Sequence, residues 1–154
     1  MDTTASHERR SRILNYAIMV ELQIGEFLNH YFIDNENKKQ QFSELILNKE
    51  FFTFEQKIRI FSKIIQQENI KIERFGRETD KKNLIKDIEY IREVRNAIAH
   101  NHPFRNPETN DITIKYKHKN KDKEIPLNDV FDKEFFNLYM KVFELVRWGT
   151  KITS

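Results

Sequence analysis

The chain has 154 residues, 38% of them hydrophobic, which suits one globular domain with a single core. It contains no cysteine, which excludes disulfides and thiolate metal sites, and its net charge of +3 is too small to imply a polyanionic partner by itself. Its polar first residues and the lack of a long apolar run predict neither a signal peptide nor a membrane helix, so a cytoplasmic protein is expected.

The first predicted element is a long amphipathic helix from about Ser6 to Phe32. Its apolar stripe repeats at helical spacing and comprises Ile13, Ala17, Val20, Ile24, Phe27 and Tyr31. Ser6 is expected to be the N-cap, because its hydroxyl can accept from a free backbone N–H in the first turn. The polar stretch 34–39 ends the pattern, and a short turn or helix from Phe42 to Leu47 follows.

A second helix is predicted over roughly residues 54–67. Thr53 and Gln56 have the spacing of a capping box, in which each side chain bonds the backbone N–H of the other. The inward residues again follow helical spacing and are Phe54, Ile58, Phe61 and Ile65. The stretch from Asn69 to Arg77 is less periodic, so no element is assigned to it.

A third helix is predicted to begin after Thr79 or Asp80 and to end near His100. Pro103 sets this end, because proline cannot donate to the helical hydrogen-bond ladder and disfavours helical geometry in the residue before it. The residues expected to face the core are Leu84, Ile88, Ile91 and Ile98.

Between residues 112 and 118 the apolar period changes from 3.6 to two, which predicts a strand. A return strand from Glu124 to Leu127 completes a small β-hairpin, inserted at about 111–127. After it, Asn128 or Asp129 is expected to cap a last helix, whose stripe is Phe135, Tyr139, Val142 and Val146.

Lysine occupies alternate positions along this hairpin and is expected to line one face of an extended ribbon: Lys115, Lys117, Lys119, Lys121 and Lys123. Such a row can follow a phosphate backbone without reading its sequence, so Lys115, Lys117 and Lys119 are candidate nucleic-acid contacts. Lysines on an exposed edge strand also prevent strand-to-strand aggregation, which is the alternative explanation.

No repeat, low-complexity tract or linker divides the chain, so residues 1–154 are expected to form one domain. The predicted fold is mainly α: a four-to-five-helix up-and-down bundle with a small inserted β-hairpin.

Three residues at the end of the third helix suit phosphodiester chemistry: Arg95, Asn96 and His100. Arginine is a permanent cation whose planar fork matches phosphate oxygens, and histidine gives and takes protons near neutral pH. Asn96 and His100 are four residues apart, so the amide is expected to orient the imidazole or to contact phosphate.

Arg95 and His100 are separated by roughly 140° around an ideal helix, so one regular helix does not bring their head groups together. Either the helix unwinds before Pro103, or a second copy of the chain supplies the complementary residue across a two-fold axis. We favour the second solution, which predicts a homodimer with a composite active site.

The pattern Arg-Asn-x-x-x-His at the end of a late helix in a small helical bundle resembles the HEPN superfamily. The residues that match are Arg95, Asn96 and His100, and Ala99 agrees with the small residue that often precedes the histidine. Helix number and motif position extend the resemblance over nearly the whole chain.

The resemblance implies a metal-independent endoribonuclease, active as a homodimer and often serving as a toxin or antiviral defence effector. The partners that it implies are RNA and an antitoxin or other defence-system protein. HEPN toxins controlled by a nucleotidyltransferase commonly carry a tyrosine two residues after the motif histidine, and this chain has His102 there. The resemblance therefore does not point to that class of antitoxin.

The expected reaction is attack of the ribose 2'-hydroxyl on the adjacent phosphate, with His100 moving protons and Arg95 stabilising charge. The chain lacks metalloprotease and nucleotide-binding motifs, and its histidines are scattered, so neither a metal nor a cofactor is expected. The alternatives are a catalytically inactive helical module that binds RNA or protein, and a basic RNA-binding domain in which the hairpin dominates.

Overall fold

The computed structural model describes residues 3–153, and this part of the chain is mainly helical, as predicted. Its α-helices are α1 (Thr3–Phe32), α2 (Glu36–Phe42), α3 (Phe54–Ile65), α4 (Lys81–His100) and α5 (Asp129–Glu144). Single π-helical turns at Ser43–Leu47 and Leu145–Gly149 extend α2 and α5. The strands are β1 (Ile70–Arg74), β2 (Arg77–Glu78), β3 (Pro103–Arg105), β4 (Ile112–His118), β5 (Lys121–Pro126) and β6 (Thr150–Ile152).

Side-chain caps explain where three of the helices begin. Thr53 and Gln56 form the predicted capping box at the start of α3. Asp80 accepts from the backbone N–H of Lys82 at α4, and Asn128 accepts from that of Phe131 at α5. The prediction of Ser6 as an N-cap is wrong. The first helix already includes Thr3, and Ser6 is a buried residue inside it.

Helix α1 lies at the centre of the bundle and packs against α3, α4 and α5. Its fully buried stripe is Ile13, Ala17, Val20, Ile24 and Leu28, and α4 presents Leu84, Ile88, Ile91, Val94 and Ile98 to the same core. These stripes recur every three or four residues, so burying apolar surface fixes which face of each helix turns inward.

Contacts between the helices give their directions, which alternate along the chain. Glu21 of α1 pairs with Lys57 of α3, and the Phe27 ring lies against Phe61, so these two helices run parallel. The intervening α2 and the extended segment after it return the chain to the starting end. Helix α4 runs antiparallel to α1, because Arg10 near the start of α1 reaches the carbonyl of Ile98 near the end of α4.

Two three-stranded antiparallel sheets flank the helices, one of them unexpected. Strands β3, β4 and β5 contain the predicted hairpin, whose return strand begins at Lys121 rather than Glu124 and ends at Pro126. The second sheet orders β2, β1 and β6, and it joins the stretch 69–77 to residues 150–152. Among residues 3–153, no helix is both long and apolar enough to cross a membrane.

Candidate catalytic and nucleic-acid site

The motif residues lie on a helix that stays regular to its last turn. Helix α4 continues through His100, and Asn101 then adopts extended backbone geometry. The side-chain amide of Asn101 donates to the carbonyl oxygen of Ala97 at 2.8 Å, which satisfies one of the free carbonyls at the helix end. Because the helix does not unwind before His100, Arg95 and His100 remain on different faces, about 140° apart.

The Arg95 side of α4 faces a groove formed with α1 and the segment before α3. Arg95 Nη1 donates to Asn96 Oδ1 at 3.0 Å, so the amide orients the guanidinium. The expected Asn96–His100 hydrogen bond is not formed. The floor of the groove contains Lys57, which is 6% exposed and pairs with Glu21 at 2.8 Å.

Exposed apolar side chains line the same groove beside Arg95. Ile18 and Leu22 of α1 lie one helical turn apart and are each 45% exposed, whereas the other face of α1 is fully buried. These two side chains form a small exposed apolar surface next to the half-buried Arg95.

His100 is exposed, and its side chain has no hydrogen-bond or ion-pair partner within residues 3–153. Seven-residue spacing places His100 on the same face of α4 as Glu93 and Lys86. Arg10 is a nearby cation that sequence reasoning missed, and its Nη2 donates to the Ile98 carbonyl at 3.0 Å. Nothing in the sequence signals this contact, since 88 positions separate the two residues.

The predicted row of five lysines on one face of the hairpin is wrong. Lys119 and Asn120 both have positive φ and form a two-residue turn, after which the positions facing outward change from odd to even numbers. Lys115 therefore stands opposite Glu124, and Lys117 opposite Asp122. Lys119 lies in the turn itself, and Lys121 and Lys123 point to the opposite face, paired with His118 and Tyr116.

The inward face of the hairpin is held to α4 by one carboxylate. Glu93, whose side chain is 10% exposed, accepts from the Tyr116 hydroxyl and from Lys123 Nζ, both at 2.7 Å, and lies 3.4 Å from His118 Nε2. Burial opposes ionisation of Glu93, but the hydrogen bonds from Lys123 and Tyr116, together with the nearby positive charges, lower its pKa overall. Burial, followed by the hydrogen bond to Glu93, raises the pKa of the Tyr116 phenol.

In the part of the chain that the structure describes, no three histidine, aspartate or glutamate side chains are close enough to hold a metal ion. The candidate residues are Arg95, Asn96 and His100, which lie on two faces of α4, and the lysines of the hairpin. Comparison of the chain with protein-family models, curated proteins and solved structures finds no match.

Proposed function

We propose that this protein is a metal-independent endoribonuclease of the HEPN type, acting in the cytoplasm as a homodimer. The ribose 2'-hydroxyl attacks the adjacent phosphate, the 5'-oxygen leaves, and a 2',3'-cyclic phosphate remains. His100 moves the proton, and Arg95, oriented by Asn96, holds the non-bridging oxygens while negative charge develops on them. A role as a toxin or antiviral effector, controlled by an antitoxin or another defence protein, follows from the family resemblance alone.

The observation that carries this proposal is the separation of Arg95 and His100 on a regular helix beside an apolar surface. Because the regular helix keeps the two head groups on different faces, we propose that a second copy of the chain supplies the complementary group, with the exposed Ile18 and Leu22 as part of its contact surface. The apolar side chains supply a reason for association, and association completes the site.

The first test is cleavage of structured and single-stranded RNA in excess chelator, with analysis of the product ends. Cyclic phosphate and 5'-hydroxyl ends are expected. Arg95→Ala and His100→Ala should each lower the cleavage rate at least about 10²-fold. Matched controls are Arg59→Ala, an exposed arginine of α3, and His102→Ala, an exposed histidine beyond the helix end, and both should leave the rate unchanged.

A requirement for divalent metal, or products with 5'-phosphate ends, would contradict the proposed chemistry. Full cleavage by a folded Arg95→Ala or His100→Ala protein would remove that residue from the site. Absence of cleavage with retained RNA or protein binding would instead identify an inactive binding module.

The shared site is tested by mixing Arg95→Ala and His100→Ala proteins and allowing subunits to exchange. The mixed dimer contains one intact arginine and one intact histidine on different chains, so partial cleavage should return. If each chain completes its own site, every chain in the mixture lacks one member and cleavage stays absent. Heterodimers confirmed by mass but inactive at all ratios would refute the shared cleft.

A further inference from the structure

A groove of about 440 Å³ separates α4 from the tip of the hairpin. Its polar and aromatic lining includes Lys86, Tyr90, Glu93, His118, Lys119 and Lys121. The partly buried contacts of Glu93 with Tyr116 and Lys123 hold the hairpin against α4, so the turn that contains Lys119 is kept at the edge of this groove.

The groove carries lysines whose charge is not neutralised. Within residues 3–153, Lys86, Lys119 and Lys121 have no carboxylate within 4.0 Å. The acidic groups of the groove are already paired, since Glu93 binds Lys123 and Glu89 binds Arg92. Three free cations therefore face the same space.

The lysines on the outer face of the hairpin, in contrast, lie near carboxylates. Lys115 lies 3.5 Å from Glu124 and stands 4.4 Å above the Phe104 ring, and Lys117 lies 4.0 Å from Asp122. Each outer lysine has a carboxylate opposite it in the strand register. The electrostatic attraction for a polyanion is therefore concentrated in the groove and not on the outer face.

Tyr90 gives the groove an aromatic surface. Its side chain is 39% exposed and stands one helical turn after Lys86. Burial of its hydroxyl, with the nearby charges of Glu93 and Glu134, raises the pKa of the phenol, so the ring stays neutral at physiological pH. A neutral ring next to unpaired lysines can stack on a base while the lysines hold the neighbouring phosphates.

The groove is on the His100 side of α4. Lys86, Glu93 and His100 are separated by seven residues each, which places them along one face over roughly 21 Å. A second concavity, lined by Asn101, Lys115 and Lys123, adjoins the helix end, and Lys123 borders both. A strand held at Lys86 and Tyr90 therefore lies on the same face as the proposed proton-transfer group.

We propose that the groove between α4 and the hairpin binds single-stranded RNA, with Lys86, Lys119 and Lys121 on phosphates and Tyr90 stacked on a base. The inference deepens the proposed endoribonuclease by stating where its substrate strand lies. In this proposal Lys115 and Lys117 are no longer the principal RNA contacts of the hairpin, and Lys119 remains one. The added residues are Lys86, Tyr90 and Lys121.

The test measures fluorescence anisotropy of a labelled 2'-O-methyl oligouridylate from 50 to 300 mM salt. This probe has no free 2'-hydroxyl and cannot be cleaved by the proposed reaction, so binding is measured separately from catalysis. The groove variant combines Lys86→Gln, Lys119→Gln and Lys121→Gln. The control combines Lys115→Gln, Lys117→Gln and Lys63→Gln. Each triple variant lowers the net charge from +3 to zero.

The groove variant should lower the slope of log affinity against log salt by about 0.7 for each lost contact, roughly two in total, while the control keeps the wild-type slope. Tyr90→Leu should weaken binding about fivefold or more, and Tyr90→Phe should bind normally, because the ring and not the hydroxyl stacks. Melting temperatures of all variants verify that the fold is retained.

Three results would overturn the proposal: no binding of the probe by the wild-type protein at 50 mM salt, equal losses in the two lysine triples, or equal affinity of Tyr90→Leu and wild type. Binding of a duplex as tightly as the single strand would also overturn it, because a paired base cannot stack on Tyr90. Absence of RNA cleavage by the wild-type protein, with groove binding intact, would refute the endoribonuclease and leave the groove standing.

Discussion

Replacing Glu93 with alanine tests how the hairpin is held to the bundle. The substitution removes a hydrogen bond from the Tyr116 hydroxyl to a charged acceptor, which contributes about 1.5 kcal/mol, and an ion pair with Lys123. Because Lys123 is 38% exposed, that pair contributes only about 0.5 to 1 kcal/mol. His118, at 3.4 Å, adds little. The free energy of unfolding should fall by about 2 kcal/mol.

For a domain of this length, about 2 kcal/mol corresponds to a fall of roughly 4 to 8 °C in the melting temperature. The measurement is thermal and urea unfolding at pH 7, followed by circular dichroism. Glu124→Ala is the matched control, because Glu124 is 47% exposed and pairs with Lys115 at 3.5 Å, so it should cost less than about 0.5 kcal/mol. If Glu93→Ala melts no lower than Glu124→Ala, the hairpin is not held by this carboxylate.

Two further predictions concern acid stability and close packing. The pKa of Glu93 is lowered from 4.5, so the folded state binds fewer protons, and the stabilisation is present above pH 4.5 and lost as the pH falls through the lower folded value. The difference in urea midpoint between wild type and Glu93→Ala should accordingly shrink from pH 7 to pH 3, and a constant difference would contradict this. Gly149→Ala should cost about 1 to 3 kcal/mol, because its Cβ would lie 2.6 Å from the Glu73 carbonyl oxygen. Gly25→Ala, with no atom within 4 Å of the new Cβ, should cost nothing in the same urea titration.

Local signals in the sequence predicted most helix ends. The capping box of Thr53 and Gln56, the cap at Asp80 and the stop before Pro103 each depend on residues within a few positions of the helix end, so the sequence contains the whole interaction. The hairpin was predicted for the same reason, from alternation over residues 112–118. Ser6 failed as a cap because Thr3 begins the helix earlier and the core covers Ser6.

The remaining features depend on contacts between distant positions. Lysines at alternate positions share a face only if they belong to the same strand. The turn at Lys119 and Asn120 changes the outward-facing positions from odd numbers in β4 to even numbers in β5. The partner of Asn96 differs from the prediction for a local reason. The i, i+4 rule allows Asn96 to reach His100, but the side chain of the adjacent Arg95 donates to the Asn96 amide oxygen instead. The roles of Arg95, Asn96 and His100 in catalysis remain predictions.

The pairing of β1 with β6 has a consequence for the order of folding. Ile70 stands opposite Ile152, so this pairing closes a loop of about 80 residues that contains α4, the hairpin and α5. Ile70 and Ile72 are buried, yet their strand can complete its ladder only after those intervening elements have assembled. The central helices are thus expected to nucleate the structure, with the β1–β6 sheet closing late and substitutions in β6 chiefly accelerating unfolding.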